Sequence, residues 1–210
     1  MKELWFIRHG ETPWNTEGRF QGHHDVNLSP EGLHQAYRVA ERLAASGNFF
    51  DGLYSSDLQR AALTAKPIAE ALELQPVYDP RIREIYAGKL QGLLQQEIEA
   101  QFPEFQAAIK ADPWHTRRPD GESMADLSRR VQAFLDDLPE GRMIIVTHGG
   151  VIRAALKLIL GLNDSVWRRF RIGNASITRL LYPEGVALSV GDVGHLEAWA
   201  DWLSDEVTMA

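Results

Sequence analysis

The 210-residue chain contains no cysteine. Disulfides, thiolate nucleophiles and cysteine-ligated metal clusters are therefore excluded. An excess of positive charge is missing as well. Lys and Arg number 22 against 29 Asp and Glu, for a formal net charge of -7, the reverse of the basic face that nucleic-acid binding requires. No nucleic-acid partner is expected, and a site for an anion has to be a local basic pocket within an acidic protein. Long apolar runs are also lacking. The opening "MKELWFI" has no extended apolar core of the signal-peptide kind, and no later stretch approaches the ~20 residues that cross a bilayer. The expectation is a cytoplasmic protein with no membrane partner.

What is present suits one sizeable core. Hydrophobic residues make up 44% of the chain and charged residues 24%, and no linker composition interrupts them, so one domain over 1–210 is expected. "LWFI" at 4–7 and "MIIV" at 143–146 are continuous apolar runs, as doubly buried strands show. "GLYSS" at 52–56 and "VYDP" at 77–80 read as further strands. A helix capped by Ser29, opened by Pro30 and closed near Gly47 presents Leu33, Ala36, Ala40 and Leu43 on one face. A second helix, from about Asp57 through Leu72, presents Leu58, Ala62, Ala65 and Ala69, with Pro67 expected to kink or divide it. A helical excursion from Gln91 to about Lys110, broken at Pro103, leads into a loop marked by Pro113, Pro119 and Gly121. Helices then follow from Ser123 and from near Gly150, and "ASITRLLY", "PEG" and "VALSV" suggest a closing antiparallel hairpin. Alternating strands and helices predict a three-layer α/β/α sandwich, with helices on both faces of a mostly parallel sheet.

Two of the expected strands end alike. "FIRHGE" and "IVTHGG" each run from an apolar strand into histidine and then glycine, which places His9 and His148 at the carboxyl edge of the sheet, where ligands of open α/β folds bind. "GLYSSDLQR" puts Arg60 about one turn beyond a third strand end, near a helix amino terminus that favours anions. "RIREIYAG" can bring Glu84 to the same rim.

Arg8, His9, Arg60, Glu84 and His148 together resemble the histidine phosphatase superfamily, with its phosphoglycerate mutase-like fold. The blocks "RHGETPWN", "FQGHHDVNLSPEG", "SSDLQRAALTA", "REIYAGKLQG", "DGES" and "VTHGGVIRAAL" follow in the family's order over roughly Leu4 to Tyr182. The resemblance implies a phosphomonoesterase that needs no cofactor or metal and takes a small phosphate ester as its partner. It implies that His9 is phosphorylated, that Arg8, Arg60 and His148 hold the non-bridging oxygens, and that Asn15, Gln21, Gly22 and Gly149 add hydrogen bonds. Glu84 would protonate the leaving oxygen and then accept a proton from water. Its neighbours Ile82, Ile85 and Tyr86 suggest a desolvated setting for that carboxyl.

Within the family, the mutases follow the catalytic glutamate with a basic pair and a tyrosine, whereas Glu84 is followed by the uncharged "IYAG"; they also place a polar residue where this chain has Gly150. Both departures point to the phosphatase branch. Arg117 and Arg118 point the other way, resembling a basic pair that mutases use for substrate. Cofactor-dependent phosphoglycerate mutase is therefore the alternative. A metal-dependent hydrolase and a catalytically inactive binding module stand further off, the former because arginines beside the presumptive ligands would repel a cation. Among other candidates, His23 and His24 lie in an expected loop, His34 on the polar side of its helix, and Lys89, Arg117 and Arg118 near a possible entrance. His115 and His195 carry no signal, and the six tryptophans are expected to pack.

Overall fold

A computed structural model describes residues 1–196. Six strands form one sheet: β1 (Lys2–Arg8), β2 (Gly52–Ser55), β3 (Pro76–Tyr78), β4 (Gly141–Thr147), β5 (Ile177–Tyr182) and β6 (Val186–Asp192), in the spatial order β3-β2-β4-β1-β5-β6. The first four positions of that order are parallel; β5 joins β1 antiparallel and folds back on β6 as the expected hairpin.

The central strands are apolar throughout because both faces are buried. Leu4, Phe6, Met143 and Ile145 pack against α6 (Met124–Asp137) and α7 (Gly149–Leu160), through Leu127, Val131, Phe134, Val151 and Ala155. Their alternates Trp5, Ile7, Ile144 and Val146 pack against α2 (Pro30–Ala45) and α3 (Gln59–Leu72), through Val39, Leu43, Ala61, Ala65 and Ile68. This alternation over two helical layers is the α/β/α sandwich that the sequence predicts.

Three expectations about the helices need correction. Leu33 is exposed, and Gly32 takes the buried place beside it. The start of α2 lies against the chain just after β1, so closely that a Cβ on Gly10 would meet the Gly32 carbonyl oxygen at 2.3 Å and one on Gly32 would meet that of Glu11 at 2.0 Å. With about 100° of rotation per residue, burying Gly32 turns Leu33 to solvent. In α3 the inward face carries Arg60, Ala61, Thr64, Ala65 and Ile68, while Ala62 is only half-buried and Leu58 precedes the helix as its N-cap. Two of those inward residues are polar, which hid the face from an apolar pattern. Nor does Pro67 divide α3, which runs from Gln59 to Leu72 with the proline buried inside it.

A short helix α1 (Pro13–Glu17) follows β1, capped by Thr12. The excursion after Gly88 forms α4 (Gln95–Gln101) and α5 (Pro103–Ala111), parted at Phe102–Pro103. It has a small core of its own, in which Leu90 and Ile98 meet Phe20, Phe102 and Phe105. Among the described residues, no helix is long and apolar enough to cross a membrane.

Candidate active site

The sheet register places three strand ends side by side. Arg8 pairs with Thr147 across β1 and β4, and the His9 amide donates to the Thr147 carbonyl at 2.8 Å. Ser56, just beyond β2, donates its amide to Val146 at 2.9 Å. His9 and His148 therefore stand at one level, with ring centroids 5.2 Å apart. Arg60 reaches the same level from the first turn of α3.

His9 is 3% exposed. Its Nδ1 lies 2.7 Å from the Gly10 carbonyl oxygen. A carbonyl only accepts, so Nδ1 carries the hydrogen and the neutral ring keeps its lone pair on Nε2. Burial, reinforced by the charges of Arg60 and Arg8, holds the imidazole pKa well below its usual 6.5. At neutral pH His9 is therefore an unprotonated imidazole with a free Nε2 lone pair, set among cations.

His148 is fully buried. Its Nε2 is bonded to the Ser56 hydroxyl at 2.8 Å, its Nδ1 has no partner, and burial again lowers its pKa well below 6.5. Gly149 lies behind the same wall, where a Cβ would meet Arg153 Nη1 at 3.4 Å and Arg8 Nε at 3.8 Å.

Arg60 is fully buried, donating from Nη2 to the Gly22 carbonyl at 2.7 Å and from Nη1 to that of His24 at 2.9 Å. Arg8 donates from Nη1 to the Ile172 carbonyl at 2.6 Å. Desolvation brings both guanidinium pKa values down to about 10, with the charge of Glu84 opposing the fall. The Nε atoms of both are buried without partners, as donors in a site built for an anion would be.

Glu84 faces them with its carboxylate fixed at both oxygens. Oε1 accepts the Ile85 amide at 2.8 Å and Oε2 accepts the Gly150 amide at 3.1 Å. Its own carbonyl takes hydrogen bonds from Arg130 at 2.8 Å and His23 at 2.7 Å, while Arg130 also binds the carbonyls of Arg81 and Arg83 and pairs with Glu122. Ile82 and Ile85 are buried beside it, but Tyr86 is exposed. Asn15 accepts at Oδ1 from Thr12 and from Asn174, leaving its amide hydrogens for a ligand. Gln21 is buried with Oε1 unpartnered, and Gly22 turns through a left-handed φ of 52°.

A cavity of about 420 Å³ brings together Arg8, His9, Asn15, Gln21, Gly22, Arg60 and Glu84, walled on the far side by α4 and α5. His148 and Gly149 do not line it directly but adjoin residues that do, His148 beside His9 and Gly149 beside Arg8 and Arg153. Of the possible entrance residues, Arg118 lines the cavity, whereas Lys89 pairs with Asp120 and Arg117 with Asp126. His23 binds the Glu84 carbonyl and His24 stacks on Trp14, with ring centroids 4.6 Å apart; neither lines the cavity. His34 is exposed, His115 bonds Asp112 at the surface, and His195 is buried beside Arg42. Trp5 and Trp114 pack in the core, Trp167 also lines the cavity, and Trp199 and Trp202 lie outside the described residues.

Sequence reasoning passed over Arg153, Arg168, Ser56, Arg130 and Asn174. Arg153 had a readable signal, since it lies one helical turn after Gly149 and Gly150 and so returns to the same end of α7. Arg168 belongs to a single turn, Trp167–Arg169, with no periodicity to read.

The chain is 38% identical over 209 residues to the protein of Enterobacter sp. (strain 638) named "Probable phosphoglycerate mutase GpmB", covering 94% of this chain and 96% of that protein. Among solved structures, a mycobacterial glucosyl-3-phosphoglycerate phosphatase complexed with VO3 superposes with a TM-score of 0.76 at 32% identity, over 89% of this chain and 95% of the other. A phosphoserine phosphatase mutant from Entamoeba histolytica, in complex with phosphoserine, gives 0.81 at 30% identity, over 93% of this chain and 100% of the other. The family model described as histidine phosphatase superfamily (branch 1) matches residues 4–190. With that match spanning nearly all of its described residues, the chain belongs to branch 1 of the histidine phosphatase superfamily.

Proposed function

We propose that this protein is a phosphomonoesterase that hydrolyses a small phosphorylated metabolite through a phosphohistidine at His9. The observation that carries the reading is the His9 ring itself, whose Nδ1 is committed to the Gly10 carbonyl, leaving the Nε2 lone pair free in a cavity that Arg8 and Arg60 share. Nε2 attacks phosphorus as the bond to the ester oxygen breaks, and Glu84 delivers a proton to that oxygen. The same carboxylate then takes a proton from the water whose oxygen attacks phosphorus. The P–N bond breaks and the ring regains its lone pair. Arg8 and Arg60 stabilise charge on the transferring group from fixed positions, with His148 supporting the His9 ring from behind. Two solved relatives named as phosphatases support hydrolysis. So does the wall beside Glu84, where Ile85 and Ala87 supply apolar surface in place of a basic pair.

A second reading, phosphoryl transfer by a mutase, is favoured by the name of the Enterobacter relative and by Arg118 in the cavity. Supplying 3-phosphoglycerate with a catalytic amount of 2,3-bisphosphoglycerate, and measuring isomer and free phosphate together, separates the two. Phosphate release without rapid isomerisation is expected. Isomerisation with little phosphate would establish the mutase. Phosphate release from a generic ester in the presence of a chelator is expected as well; its loss, with recovery on adding one metal, would establish a metallohydrolase.

A further inference from the structure

The stretch that carries Glu84 has no regular backbone pairing to hold it. After the single turn Pro80–Ile82, the chain from Arg83 to Ala87 is neither helix nor strand, yet it must present one carboxylate at a fixed point of the cavity. Buried carbonyls of such a stretch need partners, and here side chains supply them. Thr147 Oγ1 donates to the Ile82 carbonyl at 2.7 Å. Arg130, from the middle of α6, donates from Nη1 to the carbonyls of Arg81 and Arg83 at 2.7 and 2.6 Å, and from Nη2 to that of Glu84 at 2.8 Å. His23 adds one further bond, to the Glu84 carbonyl at 2.7 Å.

Arg130 is itself fully committed. Its two remaining N–H groups, on Nε and Nη2, meet the two carboxylate oxygens of Glu122 at 3.0 and 2.9 Å, so all five donors of the guanidinium are used. A fork-to-fork pair of this kind fixes orientation as well as distance. Glu122 in turn brackets Tyr86: its Oε2 accepts the Tyr86 amide and its own amide donates to the Tyr86 carbonyl, both at 2.8 Å. The two side chains are 18% and 21% exposed, and neither lines the cavity around His9. An ion pair drawn out of water pays desolvation on both sides and adds little stability by that alone. Placed here, it grips the backbone on both sides of one carboxylate.

We propose that Arg130, aligned by Glu122, is the positioning residue of the general acid: it holds the backbone from Arg81 to Glu84 so that the Glu84 carboxyl stays on the Ile85 and Gly150 amides, at the leaving oxygen. The chemical half of the proposal rests on the phosphohydrolase reading of the cavity; the placement of Glu84 is tested apart from it.

The test follows phosphorylation of the enzyme by rapid quench, with an alkyl phosphate and with p-nitrophenyl phosphate. It compares Arg130→Met with the milder Arg130→Lys, which keeps the charge beside Glu122 but has fewer donors and no planar fork. Misplacing a catalytic group by about 1 Å can cost about 10²-fold. Arg130→Met should therefore slow the alkyl reaction by about 10- to 100-fold and the aryl reaction far less, because that leaving group needs little protonation. Arg130→Lys should recover part of the alkyl rate. Added to Glu84→Gln, Arg130→Met should cost little more with the alkyl ester, since the acid it positions is already gone. Should Arg130→Met fail to fold, Arg130→Lys carries the same comparisons. Hydrogen exchange gives a second readout that needs no turnover. The Ile85 and Gly150 amides, which bond the Glu84 carboxylate, should exchange about 10-fold faster in Arg130→Met and less so in Arg130→Lys, while amides inside β4 keep the wild-type rate. Equal slowing with both esters, the full cost of Arg130→Met on top of Glu84→Gln, or unchanged exchange at Ile85 and Gly150 would overturn the positioning role. Absence of phosphate release by the wild-type protein from p-nitrophenyl phosphate would instead overturn the hydrolase reading, while exchange at those two amides still decides whether Arg130 holds Glu84.

Discussion

Glu84 occupies the space that a side chain on residue 150 would need. A Cβ built on Gly150 would lie 2.2 Å from Glu84 Oε1, while the Gly150 amide donates to Oε2 at 3.1 Å. The glycine thus both admits the carboxylate and holds it. At an ordinary helix position Gly→Ala gains about 1 kcal/mol of helix propensity. Here Gly150→Ala should displace Glu84, lowering kcat/KM for alkyl phosphates by about 10²-fold or more, the lower end of what a general acid contributes. Parallel rates for the two proteins on an alkyl phosphate would contradict this coupling.

Glu84→Gln isolates the proton itself. The substitution keeps size and one of the two acceptors that the Ile85 and Gly150 amides use, and it removes the acid, so phosphorylation of the enzyme should slow by about 10²–10⁴-fold with an alkyl phosphate. The same step with p-nitrophenyl phosphate, whose leaving group needs little protonation, should slow far less. Rapid-quench measurement of the two steps decides, and equal losses would remove Glu84 from the acid role.

The buried imidazoles set a pH dependence of stability. In the unfolded chain His9 and His148 protonate near pH 6.5, whereas the fold holds both pKa values well below that. Below pH 6.5 the unfolded state therefore binds more protons, and stability falls by up to about 1.4 kcal/mol per pH unit for each such group. His195, held at about 4 mainly by burial with Arg42 assisting, acts in the same direction between 6.5 and 4. Thermal unfolding should show Tm dropping from pH 7 to pH 5, before most carboxylates titrate, and His148→Gln should flatten the slope. An unchanged slope would contradict the neutral buried ring. For the same reason, loss of kcat/KM from His9 protonation should begin well below pH 6.5.

Much of this was legible in the sequence, and the residues show why. β1 and β4 could be read from "LWFI" and "MIIV" because burial on both faces leaves no polar alternation, and a histidine directly after such a strand has one place to go. Arg8, His9, Arg60 and Glu84 therefore meet as expected. Leu33 misled because close backbone contact at Gly10 and Gly32, rather than apolar spacing, orients α2. The inward face of α3 was obscured because Arg60 and Thr64 are buried as hydrogen-bonding groups, with Thr64 Oγ1 accepting from the Gly10 amide at 3.0 Å. Arg168 and Ser56 were missed because their positions depend on packing between distant segments.

Vanadate should inhibit hydrolysis as a pentacoordinate mimic held by Arg8 and Arg60 opposite His9. Arg60→Ala should weaken that inhibition along with turnover, because it removes a fully buried guanidinium from the cavity wall. Undiminished vanadate inhibition in Arg60→Ala would place the transferring group elsewhere.

The central claim is a phosphoryl group on His9, and the direct measurement is chemical quench of the protein with a ³²P-labelled ester during turnover. The account predicts label on the peptide that contains His9, lost in acid and kept in alkali as a phosphoramidate is, and absent from His9→Ala together with turnover. Near-normal turnover by His9→Ala, or an acid-stable label on another residue, would contradict it.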